Sequence, residues 1–204
     1  MILTVYSNSM KYIALFLIIT NMTFAQNNSE KLNSLVLGGG CFWCIEAAFE
    51  DAIGVESVVS GFSGGDIKNP SYREVTSGRT NHAEVCKINY DPSVISLDNL
   101  LEIFFLVHDP TTLNRQGYDV GSHYRSIVFF NNLGEEKQIL STIERYNKDY
   151  FNNNIVTEVK QFDAFYVAED YHQEYFKLNQ SQPYCQSVIA PKLQKAREKL
   201  SKYY

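Results

Sequence analysis

LVLGGGCFWCIEAAF, residues 35–49, is the stretch on which the fold of this chain depends. Its apolar start predicts a short buried strand, the three glycines permit a sharp turn, and apolar residues at helical spacing follow at once. Cys41 is therefore expected at the first turn of a helix. Unpaired backbone N–H groups and the positive end of the helix dipole favour a thiolate at that position.

Two large aromatic side chains follow this cysteine directly. They are Phe42 and Trp43, the only tryptophan of the chain. The glycines before Cys41 leave its sulfur uncrowded. A thiolate beside an aromatic wall is suited to attack on a small, apolar, electrophilic substrate.

Other interpretations of this stretch differ in strength. A single cysteine is commonly a small buried hydrophobic residue. A glycine-rich phosphate loop would continue with Lys-Ser or Lys-Thr, and half of a zinc site would need a second closely spaced Cys or His pair; the sequence has neither. A thioredoxin-type redox pair of Cys41 and Cys44 meets no such objection and stays open.

The composition is that of one folded domain. The chain has 204 residues, of which 45% are hydrophobic, and it contains 14 tyrosines and 13 phenylalanines. This content is enough for one core and is unlike that of a disordered chain. The net charge of −5 argues against binding to nucleic acid.

The N-terminal segment, residues 1–25, is predicted to be a secretory signal peptide, with translation starting at Met10. Lys11 precedes an apolar stretch too short to span a bilayer, and Ala25 ends it with a small residue. No cysteine follows closely enough for a lipid anchor. We therefore expect a mature domain of residues 26–204 that is exported, periplasmic or secreted, without stable insertion into a membrane.

Export bears on the cysteines because thiols outside the cytoplasm tend to form disulfides. The chain has four: Cys41, Cys44, Cys86 and Cys185. Two bridges among them could be connected in three ways, and the sequence alone does not choose.

Hydrophobic periodicity predicts a single α+β domain. The predicted strands lie at 35–37, 55–62, 82–90, 125–130 and 157–167, and the predicted helices at 41–54, 97–107, 135–150, 169–179 and 188–202. We expect a mixed sheet, with the first helix crossing over between strands. Alternation along 82–90 places Glu84 on one face with Cys86 and Ile88, residues 111–123 form a long loop, and residues 183–185 form a turn.

The chain resembles the peptide methionine sulfoxide reductases of the A type. The resemblance extends from residue 35 to about residue 195 and keeps the order of the family's motifs. It rests on Gly40-Cys41-Phe42-Trp43, Tyr72-Arg73-Glu74-Val75, His82-Ala83-Glu84-Val85, Tyr90-Asp91-Pro92, His108-Asp109-Pro110-Thr111, Arg115-Gln116-Gly117, Asp119, Tyr124-Arg125-Ser126, Ala168-Glu169-Asp170-Tyr171-His172-Gln173 and Pro183-Tyr184-Cys185.

This resemblance implies the fold and the roles of the cysteines. The fold would be the family's single-domain α/β roll, with the crossover helix starting at the nucleophile. Cys41 would be that nucleophile, and Phe42 and Trp43 would form the pocket for the substrate's S-methyl group. Cys185 would be the resolving cysteine. Many members have glycine at the position of Cys44, so Cys44 is a second candidate resolver in this chain.

The resemblance also implies the groups that handle the sulfoxide oxygen. Glu84, Tyr72 and Tyr124 would surround this oxygen, and Asp119 would help to orient them. A carboxylic acid that burial keeps protonated near neutral pH can protonate the departing oxygen, and tyrosine hydroxyls add fixed donors. The sequence departs from the family's pattern at Asn81, Tyr118 and His123, and also at Cys86, which stands at a usually apolar strand position and is expected to be a core thiol.

The implied activity is the thiol-dependent reduction of methionine-S-sulfoxide, free or in proteins, as a repair of oxidative damage. A sulfenic acid on Cys41 would condense with a second cysteine to a disulfide, which a thioredoxin-like dithiol would reduce. No metal and no organic cofactor is required. We expect a monomer.

Two other functions are compatible with the same residues. The first is a thioredoxin-like dithiol oxidoreductase that acts on protein disulfides through Cys41 and Cys44. The second is an exported binding module without catalysis, in which the four cysteines form two permanent bridges.

Overall fold

The computed structural model describes residues 32–204. The predicted signal peptide, residues 1–25, lies outside the described residues, as do the first six residues of the predicted mature domain. Among the helices of residues 32–204, none is both long enough and apolar enough to cross a membrane.

A mixed sheet of six strands forms the centre of the domain. The strands lie in the order β7-β6-β1-β3-β2-β8. The neighbours β6 and β7 are parallel, and every other neighbouring pair is antiparallel. A separate hairpin is formed by β4 and β5. The eight strands are β1 Asn33–Gly38, β2 Val55–Ser63, β3 Ala83–Tyr90, β4 Arg115–Gln116, β5 Asp119–Val120, β6 Ile127–Phe130, β7 Glu158–Gln161 and β8 Phe165–Val167.

The first helix, α1 (Phe42–Glu50), makes the predicted crossover. Strands β1 and β2 are both antiparallel to β3, which lies between them, so β1 and β2 run in the same direction. Two parallel strands cannot be joined by a tight turn, and α1 supplies the connection across the sheet. The predicted mixed sheet and crossover helix are confirmed.

The remaining helices vary in length. The α-helices are α2 Tyr72–Thr76, α3 Leu97–Val107, α4 Leu133–Tyr150, α5 Tyr175–Leu178 and α6 Ala190–Lys199. Short 3₁₀ turns lie at Ser122–Tyr124, Asp170–His172 and Ser201–Tyr203, and a π-helical segment lies at Cys185–Ile189. Helix α3 has the predicted bounds, and it starts at Leu97 because the Ser96 side chain accepts the N–H of Asn99 and so caps the first turn.

The core lies mainly between the sheet and helices α1, α3 and α6. Leu37, Cys86 and Ile88 point to this side and are fully buried. A smaller cluster around Val36 and Val85 covers part of the opposite face. Burial of each large apolar side chain contributes about 1.5–3 kcal/mol. Glu84 and Cys86 share one face of β3, as predicted, and the structure shows that this face is turned towards α1.

The predictions for the C-terminal third were partly wrong. Residues 169–179 do not form one helix, because Glu174 has a left-handed backbone (φ 49°) that separates the 3₁₀ turn from α5. Residues 183–185 do not form a turn. They begin the helix, which runs through the π-helical segment into α6. The predicted strand at 157–167 is two strands, β7 and β8.

Candidate active site

Cys41 is the N-terminal cap residue of α1, with φ −58° and ψ 125°. The preceding Gly40 has φ 97°, a conformation that side chains disfavour, and a Cβ there would lie 2.5 Å from the Cγ of Gln116. The glycine therefore permits both the turn out of β1 and close contact with the β4–β5 hairpin. The tight turn leads the chain from the sheet into the helix at the sulfur, as the sequence predicts.

Cys41 is only 8% exposed. The backbone N–H of Trp43 donates to its sulfur, which favours the thiolate. Burial outweighs this contribution and raises the pKa of Cys41 well above its usual value, and the nearby Cys44 and Glu84 raise it further. The resting nucleophile is therefore a thiol, although the helix start alone predicts a thiolate.

Glu84 lies directly against the start of this helix. The backbone N–H of Phe42 donates to its Oε2 at 3.1 Å. The other oxygen, Oε1, is buried and has no hydrogen-bond partner among the described residues. Burial raises the pKa of Glu84 to about 8; the Phe42 hydrogen bond opposes this rise, and the negative charge of Asp119 adds to it. At neutral pH Glu84 is therefore an acid with one free oxygen beside Cys41.

Tyr72 and Tyr124 complete the polar side of the site. Both are half-buried, their hydroxyls are hydrogen-bonded to each other, and both lie near enough to Glu84 and Cys41 that a negative charge on either group would raise the tyrosine pKa further. Burial raises the pKa of both hydroxyls above the usual range, so both remain proton donors. Glu169 holds Tyr72 by accepting its backbone N–H at 2.9 Å.

The aromatic side of the site is built around Trp43. Its indole stacks on Tyr175 with the ring centroids 3.5 Å apart and the planes 6° from parallel. The indole N–H donates to Nδ1 of His172 at 3.2 Å, so that nitrogen carries no proton. The centroid of the His172 ring also lies 4.9 Å from the ring centroid of Phe42 and 4.4 Å from that of Tyr72. Phe42 is fully buried, whereas Trp43 keeps a partly exposed face.

Asp119 lies on the β4–β5 hairpin and faces Tyr184. The Tyr184 hydroxyl donates to Asp119 Oδ2 at 2.9 Å and lies 3.8 Å from the sulfur of Cys44. The Tyr184 ring meets Trp43 edge-on at 6.1 Å. This tyrosine therefore links the hairpin, the aromatic wall and the second cysteine of the Cys-x-x-Cys motif.

The four cysteines are free and buried. Cys44 is hydrogen-bonded to Cys41, and this bond, with help from the charge of Lys192, lowers the pKa of Cys44 to about 7 against the effect of burial. Cys185 begins the π-helical segment next to Tyr184. Cys86 contacts the carbonyl oxygen of Phe42 at 3.4 Å and lies in the core, as expected for a structural thiol.

Sequence reasoning missed three contributors to the site: His172, Tyr175 and Tyr184. His172 and Tyr184 stand within the motifs Ala168–Gln173 and Pro183–Cys185, but a motif does not reveal which side chain holds the indole or the Asp119 carboxylate. Among residues 32–204, no group of three His, Cys, Asp or Glu side chains is placed to hold a metal ion.

Comparison with known proteins identifies the family. The model of the peptide methionine sulfoxide reductase family matches residues 33–203. A peptide methionine sulfoxide reductase MsrA of Trichodesmium erythraeum is 51% identical over 176 residues, which are 85% of this chain and 96% of the relative. This chain belongs to the peptide methionine sulfoxide reductases of the A type.

Solved structures agree with this assignment. The reduced form of Mxr1 from Saccharomyces cerevisiae has a TM-score of 0.71 and 32% identity, covering 80% of this chain and 94% of that one. Methionine sulfoxide reductase A of Corynebacterium diphtheriae has a TM-score of 0.70 and 32% identity, and the match covers 75% of this chain and 77% of that one. The predicted single α+β domain is thereby confirmed.

The chain is thus an oxidoreductase that reduces methionine sulfoxide. Membership of this family favours the first of the three functions considered above over a general dithiol oxidoreductase or a binding module. The geometry of the site is consistent with it, because the cysteine, the buried acid and the aromatic wall meet at the start of α1.

Proposed function

We propose that this reductase acts on methionine-S-sulfoxide, both free and within proteins, and so repairs oxidised proteins. The substrate's S-methyl group would rest against Phe42 and Trp43. The Cys41 sulfur attacks the sulfoxide sulfur, and the S–O bond breaks. In net terms the Cys41 thiol and the sulfoxide become a Cys41 sulfenic acid and methionine, with every atom conserved.

The observation that carries this proposal is the protonated Glu84 with its free Oε1 beside Cys41. A sulfoxide oxygen leaves readily only when it is protonated, and Glu84 supplies that proton while the Cys41 thiol proton restores the acid. The hydroxyls of Tyr72 and Tyr124 donate hydrogen bonds to the departing oxygen. Asp119 contributes its charge, which helps to keep Glu84 protonated.

The direct test uses the two separated sulfoxide epimers with dithiothreitol as reductant. We expect methionine from the S epimer, from both the free amino acid and an oxidised peptide, and none with the Cys41→Ser variant. The Cys86→Ser variant removes a thiol that the mechanism does not use and serves as the control. Full turnover by Cys41→Ser would contradict the proposal.

For the second step we propose that Cys185 resolves the sulfenic acid, with Cys44 as the alternative. The thiol displaces the hydroxyl of the sulfenic acid, which gives a disulfide and water. Cys44 already hydrogen-bonds with Cys41, and Cys185 lies next to Tyr184, whose hydroxyl contacts Cys44. Local π-helical backbone of the kind found at Cys185 is frequent at functional sites.

Disulfide mapping after a single turnover distinguishes the two resolvers. The protein is mixed with sulfoxide without reductant, its free thiols are blocked, and the joined peptides are identified by mass spectrometry. We expect the Cys41–Cys185 bridge, lost in Cys185→Ser and kept in Cys44→Ser. A Cys41–Cys44 bridge that persists in Cys185→Ser would make Cys44 the resolver instead.

We further propose that an external thioredoxin-like dithiol reduces this bridge by thiol–disulfide exchange. The chemistry supports this, because two protein thiols are consumed in each turnover and must be restored. We also propose that the exported mature form is residues 26–204 and that it is a monomer. Light scattering during gel filtration tests the oligomeric state.

A further inference from the structure

The β4–β5 hairpin and the residues leading into it form one edge of the active site. We call residues 113–120 the rim hairpin. Its inner face is the opposed pair Gln116 and Asp119. Gln116 packs on Gly40, immediately before the nucleophile, and Asp119 accepts the Tyr184 hydroxyl. The rim hairpin therefore borders the site in which Cys41 lies.

Polar contacts within and beside the rim hairpin stabilise its conformation. Gln116 makes two hydrogen bonds of 3.2 Å with the backbone of Asp109, one as acceptor and one as donor. Thr112 Oγ1 donates to the Arg115 carbonyl at 2.6 Å, and Arg115 Nε donates to the Gly117 carbonyl at 2.7 Å. A rigid support of this kind lowers the entropic cost of binding.

The same hairpin also exposes large apolar side chains. Leu113 is 68% exposed, Tyr118 97% and Val120 65%. Single exposed apolar residues are common on protein surfaces, whereas a local group of them on a rigid support indicates a contact surface. Tyrosine is especially suited to this role because it offers a large apolar area and loses little conformational freedom on binding.

The position of this surface indicates what it contacts. Methionines lie mostly in apolar surroundings, so the residues around a methionine sulfoxide are often apolar and become accessible when oxidation disrupts the core. A methionine sulfoxide side chain that reaches Cys41 leaves its own backbone and neighbouring residues at the rim. The exposed apolar side chains belong to the same short hairpin as Gln116 and Asp119, which border the site.

We propose that the rim hairpin binds the apolar residues flanking methionine sulfoxide in an extended, unfolded polypeptide, through Leu113, Tyr118 and Val120. This inference rests on the proposed function, because it concerns the substrate of the same site. The hairpin thus raises the efficiency of the reductase towards oxidised proteins relative to the free amino acid. Tyr118, at the tip, is the principal contact.

The test compares three substrates with dithiothreitol as the reductant, so that docking of a protein reductant does not enter the rate. The substrates are free methionine-S-sulfoxide and two oxidised peptides of equal length, one with leucine and valine flanking the sulfoxide and one with serine and glycine. The variants are Tyr118→Ser and the triple Leu113→Ser, Tyr118→Ser, Val120→Ser. Leu133→Ser, which replaces a similarly exposed leucine at the start of α4, is the control.

We expect the triple variant to lose about tenfold in kcat/KM for the apolar peptide, mainly through KM, while the rates for the free amino acid and the polar peptide stay unchanged. Tyr118→Ser should show most of this loss. Its side chain is almost fully exposed, so the single variant is expected to fold normally.

Three outcomes would overturn the inference. Unchanged kinetics with all substrates would show that the hairpin makes no substrate contact. A parallel loss with the free amino acid would show that it acts only by positioning Asp119. In a parallel assay, thioredoxin replaces dithiothreitol. If the triple variant is slower only in that assay, the surface contacts the reductant and not the substrate. In each case activity on the free sulfoxide by the parent protein would still support the proposed function.

Discussion

Glu84 is the residue on which the proposed chemistry depends most. A carboxyl group buried without a cation partner keeps its proton, because burial penalises the charged form. Its Oε2 is held by the Phe42 N–H, and its Oε1 is left without a partner among the described residues. Such an unpaired buried group costs stability, and a substrate oxygen that accepts its proton would supply the missing partner.

Replacing Glu84 by glutamine tests this role through the pH dependence of the rate. Glu84→Gln keeps the shape of the side chain but removes the acidic proton that can be transferred to the substrate oxygen. We therefore expect kcat/KM to fall by about 10² to 10³-fold near neutral pH. The pKa of Glu84 is raised to about 8, so the acid form is present below that pH and disappears above it. The ratio of the parent rate to the variant rate should therefore fall as the pH rises through about 8.

Glu84→Asp provides the matched control, because it keeps a titrating carboxylic acid with a shorter side chain. We expect a reduced rate that still declines at alkaline pH. An alkaline decline of the same size in Glu84→Gln would contradict the assignment of that decline to Glu84, since glutamine does not titrate.

At the scale of elements, the connection between β1 and α1 positions the nucleophile. Gly40 turns the chain at φ 97°, and its missing side chain leaves room for Gln116 of β4. The same turn directs the backbone N–H of Phe42, which has no partner within the helix, towards Glu84 of β3, to which it donates a hydrogen bond. The strand, the hairpin and the helix therefore meet at one residue that must be glycine.

Substitution of Gly40 by alanine should be unusually costly. An alanine at positive φ costs about 1–2 kcal/mol, and the clash with the Cβ and Cγ of Gln116 adds about 1–3 kcal/mol. Gly78 is the matched control because it has φ 75° but open space around it. Urea unfolding should therefore show a clearly larger loss of unfolding free energy for Gly40→Ala than for Gly78→Ala. Equal losses would show that contact with Gln116 does not matter.

At the scale of the whole molecule, the acidic chain combines one catalytic site with a predicted export signal. The site depends on thiols, whereas thiols outside the cytoplasm tend to become oxidised. We therefore expect an exported form to need a dithiol partner in the same compartment. The predicted export is accordingly the property that would most affect which reductant the enzyme meets in its cell.

Export can be tested by expressing the full chain in a bacterium with a periplasm. We expect the protein in the periplasmic fraction with Gln26 as its first residue, because Ala25 ends the apolar segment. Ala25→Trp should block the cleavage, and a chain that starts at Gln26 should stay in the cytoplasm as the matched control. An uncleaved full chain in the cytoplasm would contradict the prediction.

The sequence by itself determined the local structure around the nucleophile. The apolar run, the glycines and the helical spacing predict β1, the turn and α1, and Ser96 predicts the start of α3; these features follow from neighbouring residues. The alternation along β3 also predicts that Glu84 shares one face of the strand with Cys86 and Ile88. Each of these depends on spacing within one element, which a sequence displays directly.

Only the tertiary structure decided the protonation states and the partners across elements. The helix start predicts a thiolate at Cys41, yet the burial created by the surrounding elements raises its pKa instead. The hydrogen bond from Tyr184 to Asp119 joins two residues that are separated by 65 positions in the sequence. The hydrogen bond from Trp43 to His172 joins two that are separated by 129 positions. The left-handed Glu174 likewise ends a helical pattern that its neighbours support. Desolvation and long-range contacts arise from packing, and no local pattern encodes them.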